Sequence, residues 1–316
     1  MRHTIFYYPT CERQARAMAE ADSRLKLGTV NWNRFPDKFP DLFVTDMDEL
    51  AATHVTLLMS ITSPDTVFEQ MSVLYALAHQ RPASLRVLLP YFPTGTMERV
   101  DHEGQVATAH TLAQMFSAVG PSGPGPVPLY IWDAHALALR HFFGNNIAPR
   151  FKSGVKRLTE GRLTSDHVVV FPDDGALKRF KVMFTNEKHE PMFPLAVCRK
   201  VRKGEKRLMT LLEGNVAGKH AVIVDDLVHS GGTILECKKA LDKAGASKVS
   251  VFVTHAVMEN GAWKKFLDAG FDRVWITDSV PETAALVDGQ GPFEVATLVP
   301  SMTRAVFEGL YEGEET

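Results

Sequence analysis

Short runs of consecutive apolar residues recur along the chain, and this pattern constrains the fold more than any other feature. A strand that is apolar on both faces must be covered on both sides, which is typical of parallel sheets in α/β proteins. Helical patterns such as DTVFEQMSVLYALAHQ and GQVATAHTLAQMFSAV separate the runs. The sequence therefore predicts an α/β fold with mostly parallel sheets. The runs are HVTLLM (54–59), LRVLLP (85–90), LYIW (129–132), HVVVF (167–171), AVIV (221–224), VSVFV (249–253) and VWI (274–276).

The series of strands occurs twice, which indicates two domains. The chain has 316 residues, enough for two domains of ordinary size. Gly/Pro-rich stretches separate the two series, among them GPSGPGPVP (120–128) and FFGNNIAPRF (142–151). We expect an N-terminal domain over residues 1–146 and a C-terminal domain over residues 147–300.

Composition excludes several classes of protein. The formal net charge is -2, so nothing favours wholesale binding to nucleic acid or to an anionic membrane. No apolar run approaches the roughly 18 residues of a membrane span, and the first residues, MRHTIFYYPTC, lack the apolar region of a signal peptide. Cys11, Cys198 and Cys237 have neither metal-site spacing nor an obvious pairing, which favours a reducing compartment. We expect a cytoplasmic protein with no membrane or nucleic-acid partner.

Two adjacent carboxylates end one of the predicted strands. Asp225 and Asp226 follow AVIV directly, and the end of an apolar strand is a costly place for two negative charges. A cation or a hydroxyl-rich ligand should therefore face them. The vicinal hydroxyl groups of a pentose would suit two such acceptors.

Separated from the acid pair by two residues, the segment HSGGT (229–233) joins this strand to a predicted helix, ILECKKALDKAG. Gly231 and Gly232 allow the backbone to turn its N–H groups toward one point, where the N-terminus of a helix favours an anion. Ser230 and Thr233 add hydroxyl groups and are candidate N-caps. The segment is thus a candidate phosphate cradle, and the alternative is an ordinary strand-to-helix joint. A second glycine-rich segment, GNVAGKH (214–220), lacks the spacing of a P-loop and leads into a strand, so we predict a hairpin turn there.

The acid pair and its loop resemble the phosphoribosyl pyrophosphate loop of type I phosphoribosyltransferases and of ribose-phosphate pyrophosphokinases. Five further segments resemble those of the pyrophosphokinases and occur in the same order. The sequences of these segments are most similar to those of the plant-type, or class II, members of that family. The segments are NRFPDKFPD (33–41), PYFPTGTMERVD (90–101), WDAHA (132–136), FPDDGALKRF (171–180) and VCRKVRKGEKR (197–207).

The resemblance implies a fold and a reaction. The fold would be two tandem type I phosphoribosyltransferase-like domains, with the active site at their junction and a final helix (301–316) returning to the first domain. The reaction would move the β,γ-pyrophosphoryl group of ATP onto the 1-hydroxyl of ribose 5-phosphate, giving phosphoribosyl pyrophosphate and AMP. Only the second domain carries the acid pair and glycine loop, so it alone should bind ribose 5-phosphate.

The resemblance also implies roles for individual residues and a Mg²⁺ cofactor. In the family, a neighbouring subunit supplies some nucleotide contacts, here Phe35 and Asp37, so a homo-oligomer is implied. The resemblance implies that Lys200 and Arg202, on a flexible loop, act in transfer of the pyrophosphoryl group. It implies that ribose 5-phosphate binds to Asp225, Asp226, Ser230, Gly231, Gly232 and Thr233. It also implies nucleotide binding by Phe35, Asp37, Arg99 and His135, and metal binding by His135 and Asp173.

The chain departs from the class I pattern near the nucleotide segment, where Thr96 and Met97 replace an arginine and a glutamine. Fewer hydrogen-bonding groups at this place predict weaker selection among nucleoside triphosphates. Two other functions remain open at this stage. One is a phosphoribosyltransferase proper, which the chain length and the doubled sheet disfavour, and the other is a non-catalytic pyrophosphokinase-associated protein. The presence of Lys200 and Arg202 favours an enzyme.

Overall fold

The computed structural model describes residues 3–51, 53–122, 125–203 and 206–310, and within these ranges the side chains of 202, 203, 206 and 207 are outside the description. Its strands are β1 (His3–Tyr7), β2 (Leu25–Leu27), β3 (Val30–Arg34), β4 (Pro40–Val44), β5 (His54–Leu58), β6 (Ser84–Leu88), β7 (Val127–Trp132), β8 (Ile147–Lys152), β9 (His167–Phe171), β10 (Leu195–Lys203), β11 (Lys206–Glu213), β12 (His220–Val228), β13 (Lys248–Ala256), β14 (Val274–Ile276) and β15 (Phe293–Val295).

Helices follow most of the strands, as an α/β fold requires. The α-helices are α1 (Glu12–Ala21), α2 (Asp65–His79), α3 (Thr108–Ser117), α4 (Lys156–Thr159), α5 (Asp174–Phe180), α6 (Gly232–Lys243), α7 (Lys264–Leu267), α8 (Pro281–Val287) and α9 (Val299–Phe307). Short 3-10 helices occur at Pro9–Cys11, Met47–Leu50, Leu137–Phe142, Lys181–Phe184 and Glu259–Gly261. No helix within the described ranges is both long enough and apolar enough to cross a membrane.

The chain divides into two compact units. Unit 1 comprises the described residues of 1–152 and 299–316, and unit 2 comprises 153–298. Unit 1 contains a six-stranded parallel sheet in the order β2-β1-β5-β6-β7-β8 and a separate hairpin of β3 and β4. Its C-terminal helix, α9, packs against α1. Mostly parallel sheets in two units confirm the predicted fold class.

Unit 2 contains a seven-stranded sheet in the order β11-β10-β9-β12-β13-β14-β15. All neighbours are parallel except β10 and β11, which form an antiparallel hairpin. The central strand β12 shows why its apolar run is continuous. Ala221 and Ile223 pack into one hydrophobic cluster, whereas Val222 and Val224 pack into another on the opposite face.

Two sequence-based interpretations of local structure differ from the fold. The predicted boundary at residue 147 falls at the start of β8, which pairs with β7 at the edge of the unit 1 sheet. This strand contains Pro149, which an edge strand tolerates because one row of its N–H groups has no partner. The predicted hairpin turn in GNVAGKH is wrong, because this segment connects β11 to β12, and β10 and β9 lie between those two strands in the sheet.

Candidate active site

Several of the predicted site residues lie at one edge of the unit 2 sheet. Strands β9 and β12 are parallel neighbours with Val170 opposite Ile223, so their carboxyl ends meet at the same edge. Asp173 lies two residues beyond the end of β9. The acid pair does not end β12, as the sequence predicted, but lies just before its last two residues, Leu227 and Val228. The carboxyl ends of parallel strands are where ligands bind in open α/β sheets. The fold thus gathers charged groups at a place suited to a ligand.

Asp226 is buried and forms an ion pair with Arg179 of α5. Only 6% of the Asp226 side chain and 18% of the Arg179 side chain are exposed. The backbone N–H of Asp226 donates a hydrogen bond to Oδ1 of Asp225 at 2.9 Å. Arg179 is therefore the cation that two carboxylates at a buried strand end require. Sequence reasoning missed this residue, although the unbalanced charge of the acid pair was the signal that a cation lay nearby.

Asp225 has a different electrostatic environment from its neighbour. Burial raises the pKa of Asp225 well above its usual range, and the charge of Asp226, a hydrogen bond with it and the charge of Asp173 raise the pKa further. Asp226 instead contacts the guanidinium of Arg179. The two neighbouring carboxyl groups therefore lie in different surroundings, and both present oxygen atoms that can accept hydrogen bonds from the hydroxyl groups of a sugar.

The loop after the acid pair enters helix α6 through a glycine. Gly231 is the N-cap residue and has a left-handed backbone, with φ at 79°. A Cβ atom at this position would lie 2.6 Å from Cε2 of Phe266, so a side chain would clash. No side chain caps the helix, so the predicted capping roles of Ser230 and Thr233 are wrong. The helix cap therefore uses neither of their hydroxyl groups.

Lys200 reaches this loop from strand β10. Its Nζ atom donates a hydrogen bond to Oγ1 of Thr233 at 3.1 Å. The VCRKVRKGEKR segment is not a loop in its described part but the antiparallel hairpin of β10 and β11. The side chain of Arg202 and the residues at the tip, Gly204 and Glu205, lie outside the described residues. The residue before Lys200 in β10, Arg199, forms an ion pair with Asp174 at 2.5 Å.

Asp173 is the N-cap residue of α5. Its Oδ1 atom accepts a hydrogen bond from the backbone N–H of Ala176 at 2.9 Å. The residue is exposed at the sheet edge. Mg²⁺ prefers oxygen ligands and is usually held by one or two carboxylates together with phosphate oxygens and water. The donor chemistry of Asp173 fits such an ion.

Two of the predicted nucleotide residues, His135 and Arg99, belong to unit 1. A Cβ atom on Gly95 would lie 3.5 Å from Cβ of His135, so the PTGT segment packs beside His135. Four residues farther along this segment, Arg99 has a side chain that is 77% exposed, with its Nε atom 3.2 Å from Oε1 of Glu98. An exposed guanidinium at this place could contact an anionic ligand.

The other two predicted nucleotide residues occupy the turn between β3 and β4. Asp37 accepts a hydrogen bond from the backbone N–H of Phe39 at 3.1 Å, and the N–H of Phe35 donates to the carbonyl oxygen of Phe39 at 2.9 Å. The Phe35 side chain is half exposed. Its ring is thus presented by an ordered turn, and an aromatic face of this kind can stack on a base.

Unit 2 has the arrangement of a ribose-phosphate-binding protein of the type I phosphoribosyltransferase class: a parallel strand, an acid pair and a glycine turn into a helix N-terminus. Comparison with known proteins gives the family. Residues 185–308 match the family described as "Phosphoribosyl synthetase-associated domain". The chain is 43% identical over 312 residues to ribose-phosphate pyrophosphokinase 4 of Arabidopsis thaliana, which covers 96% of this chain and 91% of that protein. It belongs to the ribose-phosphate pyrophosphokinase family.

Two further similarities agree with this assignment. Ribose-phosphate pyrophosphokinase 3, mitochondrial, of Spinacia oleracea is 43% identical over 96% of this chain and 76% of that protein. The crystal structure of phosphoribosylpyrophosphate synthetase from Mycobacterium smegmatis matches with a TM-score of 0.79, covering 99% of this chain and all of that one. At 19% sequence identity, this match concerns the fold alone. The family expected from the sequence is therefore confirmed.

Proposed function

We propose that this protein transfers the β,γ-pyrophosphoryl group of ATP to ribose 5-phosphate. The oxygen of the 1-hydroxyl group attacks the β-phosphorus, and the bond from that phosphorus to the oxygen shared with the α-phosphate breaks. The products are phosphoribosyl pyrophosphate and AMP, with the proton of the hydroxyl group released. Membership of the pyrophosphokinase family supports this reaction. The structural observation that carries it is the contact of Lys200 with Thr233, which brings the cation of the transfer segment to the phosphate loop.

Ribose 5-phosphate binds through the acid pair and the loop in this proposal. Asp225 and Asp226 accept hydrogen bonds from the vicinal hydroxyl groups of the sugar. The 5-phosphate binds to Ser230, Thr233 and the N–H groups of Gly231 and Gly232. The N-terminus of α6 favours the charge of the phosphate.

Lys200 and Arg202 act on the pyrophosphoryl group during transfer. Phosphoryl transfer depends mainly on positioning and on stabilising negative charge. Lys200 is exposed on β10 and contacts the hydroxyl group of Thr233, so its ammonium lies beside the proposed phosphate loop. Such a cation stabilises the charge that develops as the bond to the α-phosphate breaks.

Mg²⁺ is the proposed cofactor, with Asp173 and His135 as its protein ligands. When bound, the ion neutralises charge on the triphosphate. Phe35, Asp37, Arg99 and His135 are proposed nucleotide contacts, and the first two are proposed to serve a neighbouring subunit of a homo-oligomer. We also propose a cytoplasmic location, although relatives of this chain include a protein named as mitochondrial.

Phosphorus NMR of the purified protein with ATP, Mg²⁺ and ribose 5-phosphate tests the proposed reaction. We expect signals of AMP and phosphoribosyl pyrophosphate to rise together as ATP is consumed. A sample without ribose 5-phosphate should leave ATP intact. Formation of ADP or inorganic phosphate alone would show that the pyrophosphokinase reaction is not the activity of this protein.

A further inference from the structure

A second lysine contacts the phosphate loop of unit 2. Helix α7 lies against this loop, because the ring of Phe266 packs where a side chain on Gly231 would be. The preceding residue, Lys265, donates a hydrogen bond from Nζ to the carbonyl oxygen of Ser230 at 3.1 Å. The ammonium groups of Lys265 and Lys200 therefore both contact the loop, one at Ser230 and the other at Thr233.

The carbonyl group that Lys265 contacts is neutral, so this contact does not balance the positive charge of the lysine. Lys265 is exposed, and among the ion pairs of the described residues it has none. An ammonium group has three N–H donors, and a single carbonyl oxygen takes one of them. Two donors and a full positive charge thus remain for a ligand at the loop.

The negative charge of a sugar phosphate is larger than the positive charge that the N-terminus of a helix provides. A phosphate monoester carries between about 1.5 and 2 negative charges near pH 7, whereas the N-terminus of a helix contributes about half a positive charge. Lys200 belongs to the transferred pyrophosphoryl group in the proposed reaction. A separate cation is therefore needed for the 5-phosphate, and Lys265 has the position and the charge.

We propose that Lys265 binds the 5-phosphate of ribose 5-phosphate and makes the site prefer the phosphorylated sugar over free ribose. This inference deepens the proposed function and rests on it. One N–H group of Lys265 remains hydrogen-bonded to the carbonyl oxygen of Ser230, while the other two donate hydrogen bonds to phosphate oxygens. The same residue thus fixes the loop and holds the ligand.

A purely structural role would consist of the hydrogen bond to Ser230 alone, and three substitutions separate the two roles. Lys265→Gln keeps a hydrogen-bond donor but removes the charge. Lys265→Arg keeps the charge, and Lys265→Met removes both. The matched control is Lys264→Gln, because Lys264 is the preceding residue of α7 and its Nζ atom lies over the Trp263 ring, 5.9 Å from the centroid.

Isothermal titration calorimetry with ribose 5-phosphate and with free ribose measures the effect without turnover. We expect Lys265→Gln and Lys265→Met to raise the Kd for ribose 5-phosphate about tenfold or more, as for loss of a charged hydrogen bond. Lys265→Arg and Lys264→Gln should bind like wild type. The affinity of Lys265→Gln for free ribose should equal that of wild type, because free ribose carries no phosphate for Lys265 to bind.

Wild-type affinity in Lys265→Gln would overturn the proposal, since the hydrogen bond to Ser230 would then be the only role of Lys265. An equal loss of affinity in Lys264→Gln would also overturn it. If the wild type binds ribose 5-phosphate through Lys265 but forms no phosphoribosyl pyrophosphate, the proposed reaction fails and the binding role stands. Absence of any binding by the wild type would overturn both.

Discussion

Each unit contains its own mostly parallel sheet, but the segments that follow strand β7 of unit 1 and strand β12 of unit 2 differ. In unit 1, β7 ends in Trp132, and the buried Asp133 that follows has a backbone φ of 36°. The Asp133 N–H donates to the carbonyl oxygen of Lys152 at 2.9 Å, and the next helical segment is the 3-10 helix Leu137–Phe142. In unit 2, β12 contains the acid pair near its end, continues to Val228 and leads through Gly231 into the 12-residue helix α6.

This difference shows that the sheet alone does not make a ribose phosphate site. A phosphate cradle needs free N–H groups at the N-terminus of a regular helix, which α6 offers immediately after its strand. It also needs a turn that lets these groups converge, which the left-handed Gly231 provides. Arg179 pairs with Asp226, and Lys200 and Lys265 are the cations proposed to balance the charge of the ligand. These features occur in unit 2 in addition to the mostly parallel sheet that each unit contains.

The largest expected effect comes from removing the cation beneath the acid pair. Arg179→Met leaves the buried carboxylate of Asp226 without its guanidinium, so the free energy of unfolding should fall by about 3 kcal/mol or more. Arg16→Gln in unit 1 is the control, because it breaks an exposed pair with Glu12 and should change the free energy of unfolding much less than Arg179→Met does. Urea denaturation measures both values. Equal losses would show that the ion pair of unit 2 is no more important than a surface pair.

The second effect concerns the transfer segment. Lys200→Ala should lower kcat by about 10²-fold, as expected for the loss of a charge that stabilises the transition state. The KM for ribose 5-phosphate should change little. Lys239→Ala, at an exposed lysine of α6, is the control and should keep wild-type kinetics. If kcat of Lys200→Ala equals that of wild type, this residue does not stabilise the transition state.

The third effect compares two left-handed glycines, one in each unit. Gly231→Ala adds a Cβ atom 2.6 Å from the Phe266 ring, whereas Gly104→Ala in unit 1, at a φ of 85°, meets nothing within 4 Å. Both substitutions should cost about 1 to 2 kcal/mol from the left-handed backbone. Only Gly231→Ala should lose more through the clash and also raise the KM for ribose 5-phosphate. Similar losses at the two positions would mean that the packing of α7 on the loop is unimportant.

The smallest effect is a pH dependence of stability that belongs to Asp225. Its folded-state pKa is raised above the ordinary value of 3.8, so the folded chain holds a proton that the unfolded chain releases. This group therefore lowers the free energy of unfolding as pH rises above 3.8, until pH exceeds the raised pKa. Asp225→Asn should remove that decline, so its stability relative to wild type should rise across this range. A constant difference between the two proteins would contradict the raised pKa.

Much of this architecture was predictable from the sequence because buried parallel strands leave continuous apolar runs. Each of the seven predicted runs coincides with or overlaps a parallel strand. Apart from β1, which lies between β2 and β5, the strands outside these runs lie at edges or in hairpins. One is β8, which contains a proline, and the others include β10 and β11, whose charged and apolar residues mix. Edge and hairpin strands are only partly buried, so their patterns are weaker.

The candidate site was predictable where neighbouring residues share one function. Asp225, Asp226 and the HSGGT segment are contiguous, so their combined chemistry can be recognised in the sequence. Arg179 and Lys265 lie far away along the chain, and each contributes a single contact that only folding creates. Lys265 in particular contacts a backbone carbonyl group, which leaves no sequence signature at the partner. Cations that balance a site are therefore harder to predict than the site itself.

The central claim is that only the strand end of unit 2 binds ribose 5-phosphate, and the number of binding sites tests it directly. Isothermal titration calorimetry of the wild-type protein should give one ribose 5-phosphate per chain. Thr233→Val removes a hydroxyl group from the unit 2 loop, so it should weaken the whole isotherm and leave no unaffected fraction. Two sites per chain, or one site whose affinity Thr233→Val does not change, would contradict the account.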